Sequence, residues 1–408
     1  MPDDLASVED HLERILAAVG PLSDAELPLM DALGLVCTHD VVSPLSLPRF
    51  DNSAMDGYAV RQRDVATATA ASPVVLPVVG QIGAGQAGVR TLEPGAVAKI
   101  MTGAPVPEGA DAIVPYEWTD RGSTEARITD APRVRQHVRS AGEDVTEGDL
   151  LFPAGTLLSP RDVGLLASVG LASVRVRPRP RVVIISTGSE LRDPGSDLDH
   201  DSIYDGNSYL LAAAAHRAGA VAHRVGIVAD RPEAFLEALR RELADADLVV
   251  TSGGVSQGDF DVVKAALRPL GTMWFGGVAM QPGKPQGFGL VDATPIFTLP
   301  GNPVSSYISF ELFVRPALRT LMGITPVETP TAAARLAETV TSPAGRRQFL
   351  RGTYAVGPDG PVVTPVGGAG SHLVGDLAAS DALIVVPEDA TSITAGALVS
   401  VVRLDQEG

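Results

Sequence analysis

VVIISTGSEL, residues 182–191, is the stretch that decides the fold. Its apolar, mostly β-branched run ends in a Thr-Gly turn, and the same pattern returns in DLVVTSGG (247–254) and PIFTLPGNP (295–303). Helices are predicted around these runs, at about 208–217, through EAFLEALRREL (233–243), from about Phe260, and from Pro303 to about Met322. Buried strands that alternate with amphipathic helices predict a doubly wound parallel α/β sheet, covered on both faces.

The ends of these strands predict where a ligand binds. In open sheets of this kind, ligands occupy the crevice beyond the carboxyl ends of the strands. Those ends carry STGSEL (186–191), TSGGVSQGD (251–259) and LPGNP (299–303). We therefore expect the site at these three loops.

Outside this region the chain follows a different pattern, which predicts a multidomain α/β plus β protein. Short β-type runs broken by Gly and Pro predict a small, mainly β domain at 46–140, and similar runs predict a β-barrel-like domain at 326–408. Residues 1–45 and 141–178 would form an N-terminal helical and linker domain, and 179–325 the α/β domain. The N-terminal helix begins with a Ser7 to Asp10 capping pattern and would pack against its own domain or a second subunit.

Composition limits the class of protein. The 408 residues suffice for about two to four domains. The formal charge of −17 argues against nucleic acid or an anionic membrane as the main partner. A single cysteine, Cys37, excludes internal disulfides, and the chain lacks a leader pattern and a long apolar run, so we expect a soluble, cytoplasmic protein.

Some short motifs do not carry the chemistry they suggest. The G-x-G-x-x-G at 83–88 is followed by VRTLEPG, which cannot open the helix that a dinucleotide site needs. Gly283-Lys284 lacks the spacing of a P-loop. The seven histidines show no zinc-ligand spacing, and no G-x-S-x-G elbow occurs.

Carboxylates in glycine-rich loops are the remaining candidates for chemistry. Each one alone is more often a turn former or a helix cap. Together, beside the TSGGVS and PGNP backbones, they suggest oxygen ligands for Mg²⁺ with peptide N–H groups for phosphate. The set comprises Asp51, Asp56, Glu143, Asp144, Glu190, Asp230, Asp259 and Asp261.

A series of motifs occurs in one order along the chain and resembles one family. These are PRFDNSAMDGYAV (48–60), KIMTGAPVPEGADAIV (99–114), RSAGEDV (139–145), STGSEL, TSGGVSQGDFD (251–261), PGKP (282–285), LPGNPVS (299–305) and GSHLVGDLAASDALIVVPE (370–388). They strongly resemble the molybdopterin molybdenumtransferase (MoeA) family, which includes the C-terminal domain of gephyrin. The resemblance implies an elongated, four-domain homodimer. It also implies a Mg²⁺-dependent reaction in which adenylylated molybdopterin and molybdate give molybdenum cofactor and AMP.

The resemblance implies one set of site residues in the α/β domain. Glu190 and Asp261 would bind the metal, with Asp230 as a further acidic group. Ser252, Gly253, Gly254 and Ser256 would bind phosphate or ribose, and Lys284 would place a positive charge near the phosphates or molybdate. Pro300, Gly301, Asn302 and Pro303 would shape the nucleotide end of the crevice.

A second set is implied in the β domain and the final domain. Asp56, Thr102, Arg139 and Asp144 carry over from the family, and Asp56 would act across the dimer on the partner's α/β domain. Ser371 matches a serine near the pterin end. The upstream adenylyltransferase is a further partner that the resemblance implies.

One departure and two alternatives stay open. The family often has Lys where this chain has Gln281, before Pro282-Gly283-Lys284-Pro285, so one cation of a pair is missing. The first alternative is the molybdopterin adenylyltransferase, whose single α/β domain usually reads Gly-Gly-Thr-Gly where this chain has Gly253-Gly254-Val255-Ser256. The second is a scaffold that keeps the fold without catalysis, against which the intact carboxylates argue.

Overall fold

The computed structural model describes residues 5–85, 88–253, 262–270 and 272–404. The chain forms two compact units. The larger unit contains Met1–Thr38, Leu157–Ser159 and Val174–Gly408, and the smaller unit contains His39–Thr156 and Pro160–Ser173. The four predicted domains and their boundaries remain predictions.

A six-stranded sheet forms the centre of the larger unit. Its strands lie in the order Val221–Val228, Arg181–Thr187, Leu248–Ser252, Thr294–Leu299, Pro285–Val291 and Trp274–Gly277. The first four strands are parallel, which confirms the predicted α/β sheet, and each of the last two pairs antiparallel with the strand before it.

The antiparallel strand Pro285–Val291 contains two glycines, which have low strand propensity, so its sequence does not indicate a strand. A Cβ at Gly287 would stand 1.9 Å from Thr298 Oγ1, and a Cβ at Gly289 would stand 2.7 Å from Met273 Cα. Glycine is therefore required where neighbouring atoms approach the backbone so closely.

Helices cover both faces of this sheet. They are Gly206–Arg217, Pro232–Leu243, Val262–Leu267, Pro303–Ser309 and Arg315–Leu321, with a 3₁₀ turn at Arg268–Leu270. One core contains Leu211, Val304 and Phe313, and the other contains Phe235 and Leu239. The predicted helix from Pro303 to Met322 follows this course but includes a π-helical turn at Phe310–Val314. Pro316, which lacks an N–H, follows that turn.

The N-terminal helix Val8–Ala18 begins as predicted. Ser7 and Asp10 form a reciprocal capping box. Ile15 is fully buried in the core that contains Phe313, so this helix packs within its own unit.

The end of the chain forms a closed five-stranded barrel, which confirms the predicted β-barrel-like domain. Its strands run in the order Arg347–Gly357, Gly360–Pro365, Thr331–Leu336, Leu398–Arg403 and Ala382–Val386, and the last pairs with the first. Met280–Gln281 pairs with the first two residues of the barrel strand Arg347–Gly357. The larger unit also contains the helix Val374–Ala378, all but the first residue of the strand Ser173–Val176, and the short strands Ala25–Pro28, Leu191–Arg192, Ile203–Tyr204, Val340–Thr341 and Ser392–Ile393.

The smaller unit is mainly β. Its five-stranded sheet has the order Ala112–Pro115, Gly57–Val60, Val97–Ile100, Val74–Ile82 and Glu125–Ile128. Tyr58 and Val97 are fully buried in its core. The remaining elements are the helices Gln62–Val65 and Pro160–Ser168, a 3₁₀ turn at Tyr116–Trp118, and the short strands Val41–Val42, Asn52–Ser53, Val138–Arg139 and Leu150–Phe152. None of the helices in the described part of the chain has the length and apolar character needed to cross a membrane.

Candidate substrate site

A cavity of about 480 Å³ opens in the larger unit where the parallel strands end. Strands Arg181–Thr187 and Leu248–Ser252 contribute their last residues to it. Its lining comprises Ser186, Thr187, Glu190, Leu191, Ile203, Tyr204, Asp205, Gly206, Asn207, Leu210, Ser252, Gly253, Gly301, Pro303 and Val374. The cavity therefore lies where the topology predicted a ligand, at the carboxyl edge of the sheet.

Asn207 connects two of the loops around this cavity. Its Nδ2 donates hydrogen bonds to Ser252 Oγ at 2.8 Å and to the carbonyl oxygen of Gly301 at 2.6 Å. The asparagine stands in the first turn of the helix Gly206–Arg217. Asn207 carries no signal in the sequence, because its partners belong to segments 45 and 94 residues away.

Asp205 fixes the start of the same helix. Its carboxylate accepts hydrogen bonds from the backbone N–H of Ser208 at 3.0 Å, from Ser208 Oγ at 2.6 Å and from Ser186 Oγ at 3.2 Å. Asp205 is 1% exposed, so these donors compensate the burial of its charge. An Asp before a helix is a recognisable cap signal, but its bond to a strand residue is not visible in the sequence.

The turn after Ser252 depends on glycine. Gly253 has φ +89°, and its N–H donates to the carbonyl oxygen of Leu299 at 3.0 Å. A Cβ at Gly301 would stand 3.7 Å from Gly253 Cα, so the two predicted glycine loops meet at the cavity. Residues with a Cβ rarely adopt this φ, which explains the glycine.

The Pro300 to Pro303 turn joins the cavity to the barrel region. Asn302 Nδ2 donates to Ser371 Oγ at 2.9 Å, and the N–H of Val304 donates to the carbonyl oxygen of Ser371 at 3.1 Å. The structure thus brings together Asn302 and Ser371, which the family resemblance had selected from separate motifs. Pro300 is buried behind this turn, and its carbonyl oxygen accepts a hydrogen bond from Ser306 Oγ.

Glu190 and Asp230 form a pair of like charges at the same edge. Partial burial and the negative charge of Glu190 raise the pKa of Asp230. A cation near both would relieve this repulsion, so the pair fits the expected Mg²⁺. Within the described ranges, no group of three or more Asp, Glu, His or Cys could hold a metal ion. Asp261, Gly254 and Ser256 lie outside the described residues.

Lys284 does not line this cavity. It directly precedes the strand Pro285–Val291 and lies beside Gly277. A Cβ added at Gly277 would stand 3.2 Å from Lys284 Cε. Its carbonyl oxygen accepts a hydrogen bond from the N–H of Val278 at 2.7 Å. Its expected role near phosphate or molybdate stays a prediction.

Asp56 and Thr102 lie together in the smaller unit. Asp56 Oδ1 accepts hydrogen bonds from the N–H of Thr102 at 2.7 Å and from Thr102 Oγ1 at 2.9 Å. These two bonds lower the pKa of Asp56, the backbone bond first. The carboxylate is exposed and is held in its ionised form.

Asp51 holds the loop that carries Arg139 and Asp144. Its carboxylate pairs with Arg135 and accepts the N–H of Ala141 at 2.9 Å, and these contacts lower its pKa. Arg135 also donates to Ser140 Oγ at 2.6 Å. The sequence does not indicate the role of Arg135, because its geometry depends on a φ of +66° that no motif predicts.

Three family models match consecutive parts of the chain and define the class of protein. The MoeA N-terminal region (domain I and II) matches residues 6–170, the "Probable molybdopterin binding domain" matches 183–320, and the MoeA C-terminal region (domain IV) matches 333–404. Every residue that lines the cavity except Val374 lies within the second match, which also contains nearly all of the parallel sheet. The class is therefore that of multidomain molybdopterin-binding proteins.

Full-length relatives identify the family. Molybdopterin molybdenumtransferase 2 of Mycobacterium tuberculosis is 45% identical over 96% of this chain and 98% of its own length. The molybdopterin molybdenumtransferase of Haemophilus influenzae is 34% identical over 93% and 94%. The crystal structure of the MoeA molybdopterin biosynthesis protein of Pyrococcus horikoshii superposes with a TM-score of 0.82 at 32% identity and covers 99% of this chain and 100% of its own. The chain belongs to the MoeA family of molybdopterin molybdenumtransferases.

Proposed function

We propose that this protein inserts molybdate into adenylylated molybdopterin and releases molybdenum cofactor and AMP, with Mg²⁺ as the divalent cation. The observation that carries the proposal is the cavity at the strand ends, where the hydroxyl of Ser252 and the backbone of Gly253 lie at the same edge as Glu190. The full-length match to relatives named as molybdenumtransferases favours this reaction over that of a single-domain adenylyltransferase.

The cavity has groups suited to the phosphates of the substrate. The helix Gly206–Arg217 begins at the cavity, and the N-terminus of a helix favours anions. Ser252 would donate its hydroxyl hydrogen, and Gly253 and Gly301 would let the substrate approach the backbone closely. Asn207 fixes the relative position of these loops through its two hydrogen bonds.

Glu190 and Asp261 would hold Mg²⁺, with Asp230 as a further acidic group. When bound, the cation would offset negative charge that develops on the leaving phosphate. The pKa of Asp230, raised first by partial burial and second by the charge of Glu190, supports this assignment, because a cation would offset the repulsion from Glu190.

Asp56, Thr102, Arg139 and Asp144 would complete the site from a partner subunit. We propose a homodimer in which Asp56 of one chain faces the cavity of the other. The hydrogen bonds from Thr102 support this role, since they keep Asp56 ionised and oriented at an exposed position. An upstream adenylyltransferase would supply the substrate, and we place the reaction in the cytoplasm.

Molybdate-dependent release of AMP from adenylylated molybdopterin tests the reaction. The wild-type protein should release AMP only when Mg²⁺ and molybdate are both present, and Glu190→Gln should lose most of this activity. Binding of the substrate without AMP release would contradict the proposal and favour a scaffold.

Mixed dimers test whether Asp56 acts across the interface. Asp56→Ala and Glu190→Gln should each be inactive alone. After subunit exchange, about a quarter of the wild-type activity should return, because half of the dimers are mixed and each mixed dimer has one intact site. If Asp56 acts within its own chain, activity should not return, however long the subunits are allowed to exchange.

A further inference from the structure

An exposed carboxylate of the smaller unit, that of Asp56, stands on a turn with buried ends. Met55 and Asp56 are exposed at the tip of this turn, whereas Ser53 before them is fully buried. The strand that follows begins at Gly57, where a Cβ would stand only 2.0 Å from the carbonyl oxygen of Val114. The turn is therefore anchored in the interior at both ends, and only its tip faces solvent.

The side chain of Ser53 spans this turn. Its hydroxyl donates a hydrogen bond to the carbonyl oxygen of Met55 at 2.5 Å, and its oxygen accepts the N–H of Met55 at 3.3 Å. Between them, the N–H of Ala54 donates to the carbonyl oxygen of His137 at 2.8 Å. His137 has φ +62°, a conformation that is uncommon for a residue with a Cβ and that persists only where the surrounding structure fixes it. These contacts leave the turn few alternative conformations.

The backbone of Ser53 joins this turn to the turn that carries Thr102. Its N–H donates to the carbonyl oxygen of Ala104 at 3.0 Å, and its carbonyl oxygen accepts the N–H of Gly103 at 2.8 Å. The Asp56 carboxylate in turn accepts both of its hydrogen bonds from Thr102. Ser53 is thus bonded to the turn that carries Asp56 and to the turn whose donors orient the carboxylate.

We propose that Ser53 is a positioning residue for the proposed reaction, because its buried hydroxyl fixes the turn that presents the Asp56 carboxylate to the substrate. This inference rests on the proposed function of Asp56. An exposed carboxylate free to rotate must be ordered when it meets the substrate, and a carboxylate held in place beforehand avoids that entropic cost. Ser53 itself touches no substrate and acts through Asp56.

Ser53→Ala, compared with Ser43→Ala, tests this role in the full-length protein. Ser43 is the matched control: it is 2% exposed, donates to the carbonyl oxygen of Leu45 at 2.6 Å, and also exchanges backbone hydrogen bonds with a neighbouring turn, at Asp149 and Gly148. Each substitution removes one buried hydroxyl, so Tm should fall by a similar amount in both variants. In Ser53→Ala alone, kcat for AMP release should fall about tenfold or more with little change in KM, because orientation is lost and binding is retained.

The pKa of Asp56, followed by carboxyl NMR titration, is a second measurement that needs no activity. Ser53→Ala should raise this pKa toward its ordinary value, because the donors of Thr102 then meet a less ordered carboxylate. Ser43→Ala should leave it unchanged. Ser53→Cys replaces Ser53→Ala if that variant does not fold, and its weaker thiol donor should give smaller changes in the same direction.

Three results would overturn the positioning role: wild-type kcat in Ser53→Ala, equal losses of kcat in Ser53→Ala and Ser43→Ala, or an Asp56 pKa that Ser53→Ala leaves unchanged. Failure of the proposed function is distinguishable from these. If the wild-type protein releases no AMP, the proposed function is wrong, and the comparison of Asp56 pKa values alone decides whether Ser53 orients this carboxylate.

Discussion

The side chain of Asn207 donates a 2.8 Å hydrogen bond to Ser252 Oγ, and this contact joins the start of a helix to the end of a buried strand. The same nitrogen also reaches the carbonyl oxygen of Gly301 at 2.6 Å. One amide group therefore sets the spacing of two loops that line the substrate cavity. Asn207 is thus a positioning residue in addition to part of the cavity wall.

Asn207→Ala should lower kcat/KM for AMP release by about 10- to 100-fold, because misplaced binding groups lose much of their effect. The free energy of unfolding should fall by only about 1–2 kcal/mol, the usual contribution of such hydrogen bonds. Steady-state kinetics and chemical denaturation measure the two effects. Gln62→Ala truncates an amide outside the cavity lining and should change neither; equal losses of activity in both variants would contradict the positioning role.

Thr102→Val should raise the pKa of Asp56 toward its ordinary value. The substitution removes the Oγ1 donor and keeps the backbone N–H, so the stabilisation of the carboxylate becomes weaker. The acid limb of the pH profile should then move to higher pH, because Asp56 must lose its proton to act as a carboxylate. Carboxyl NMR titration measures the pKa directly.

Thr102→Ser is the matched control for this prediction, since it retains a hydroxyl group. Its Asp56 pKa should stay close to that of the wild-type protein. If Thr102→Val and Thr102→Ser give the same titration curve as the wild type, the hydroxyl has no influence on Asp56.

The strand ends and caps of this protein could be predicted from sequence because they depend on local patterns. Val182 to Thr187 is a continuous buried run, and Ser7 and Asp10 form a cap within one turn. The loops at strand ends then follow from the topology of parallel sheets. For this reason the position of the cavity was predictable from three short stretches.

Other parts of the site depend on contacts between distant segments. Asn302 meets Ser371 across 69 residues, and Asp51 reaches Arg135 across 84. Hydrophobic periodicity does not indicate contacts between such distant residues, and only the family resemblance pointed to Asn302 and Ser371. The strand Pro285–Val291 was missed for a different reason, since its glycines are chosen for close packing and not for strand propensity.

Gly283→Ala should destabilise the larger unit by about 2–3 kcal/mol, since it combines an unfavourable φ with a steric clash. Gly283 has φ +101°, and a Cβ there would stand 3.0 Å from both Met280 Cε and Ser309 Oγ. Its carbonyl oxygen also accepts a 2.6 Å hydrogen bond from the buried side chain of Gln286. Denaturation with urea measures the change in the free energy of unfolding.

Gly345→Ala separates the two contributions to this effect. Gly345 has φ +75°, and a Cβ there would meet no atom within 4 Å. Only the backbone cost of about 1 kcal/mol should appear. Equal destabilisation by both substitutions would mean that the packing around Gly283 adjusts without cost.

His11 should make the larger unit sensitive to acid. The ring is 1% exposed and lies between Trp274 and Phe313, with ring centroids at 4.8 and 4.7 Å. Burial, with a further contribution from the charge of Arg14, lowers its pKa from 6.5 to about 3. Between these two values the unfolded chain binds a proton at His11 that the folded chain does not, so stability falls as the pH falls.

His11→Phe should therefore flatten the dependence of stability on pH. The slope that His11 adds is at most about 1.4 kcal/mol per pH unit, and it should appear below about pH 6.5. Urea denaturation at intervals from pH 7 to pH 4 should show that the stability of His11→Phe relative to the wild type rises steadily as the pH falls. Other titrating groups are common to both proteins and cancel in this difference.

His200→Gln, at an exposed histidine, is the control, and its stability curve should run parallel to that of the wild type. Parallel curves for His11→Phe as well would mean that His11 takes up its proton in the folded state.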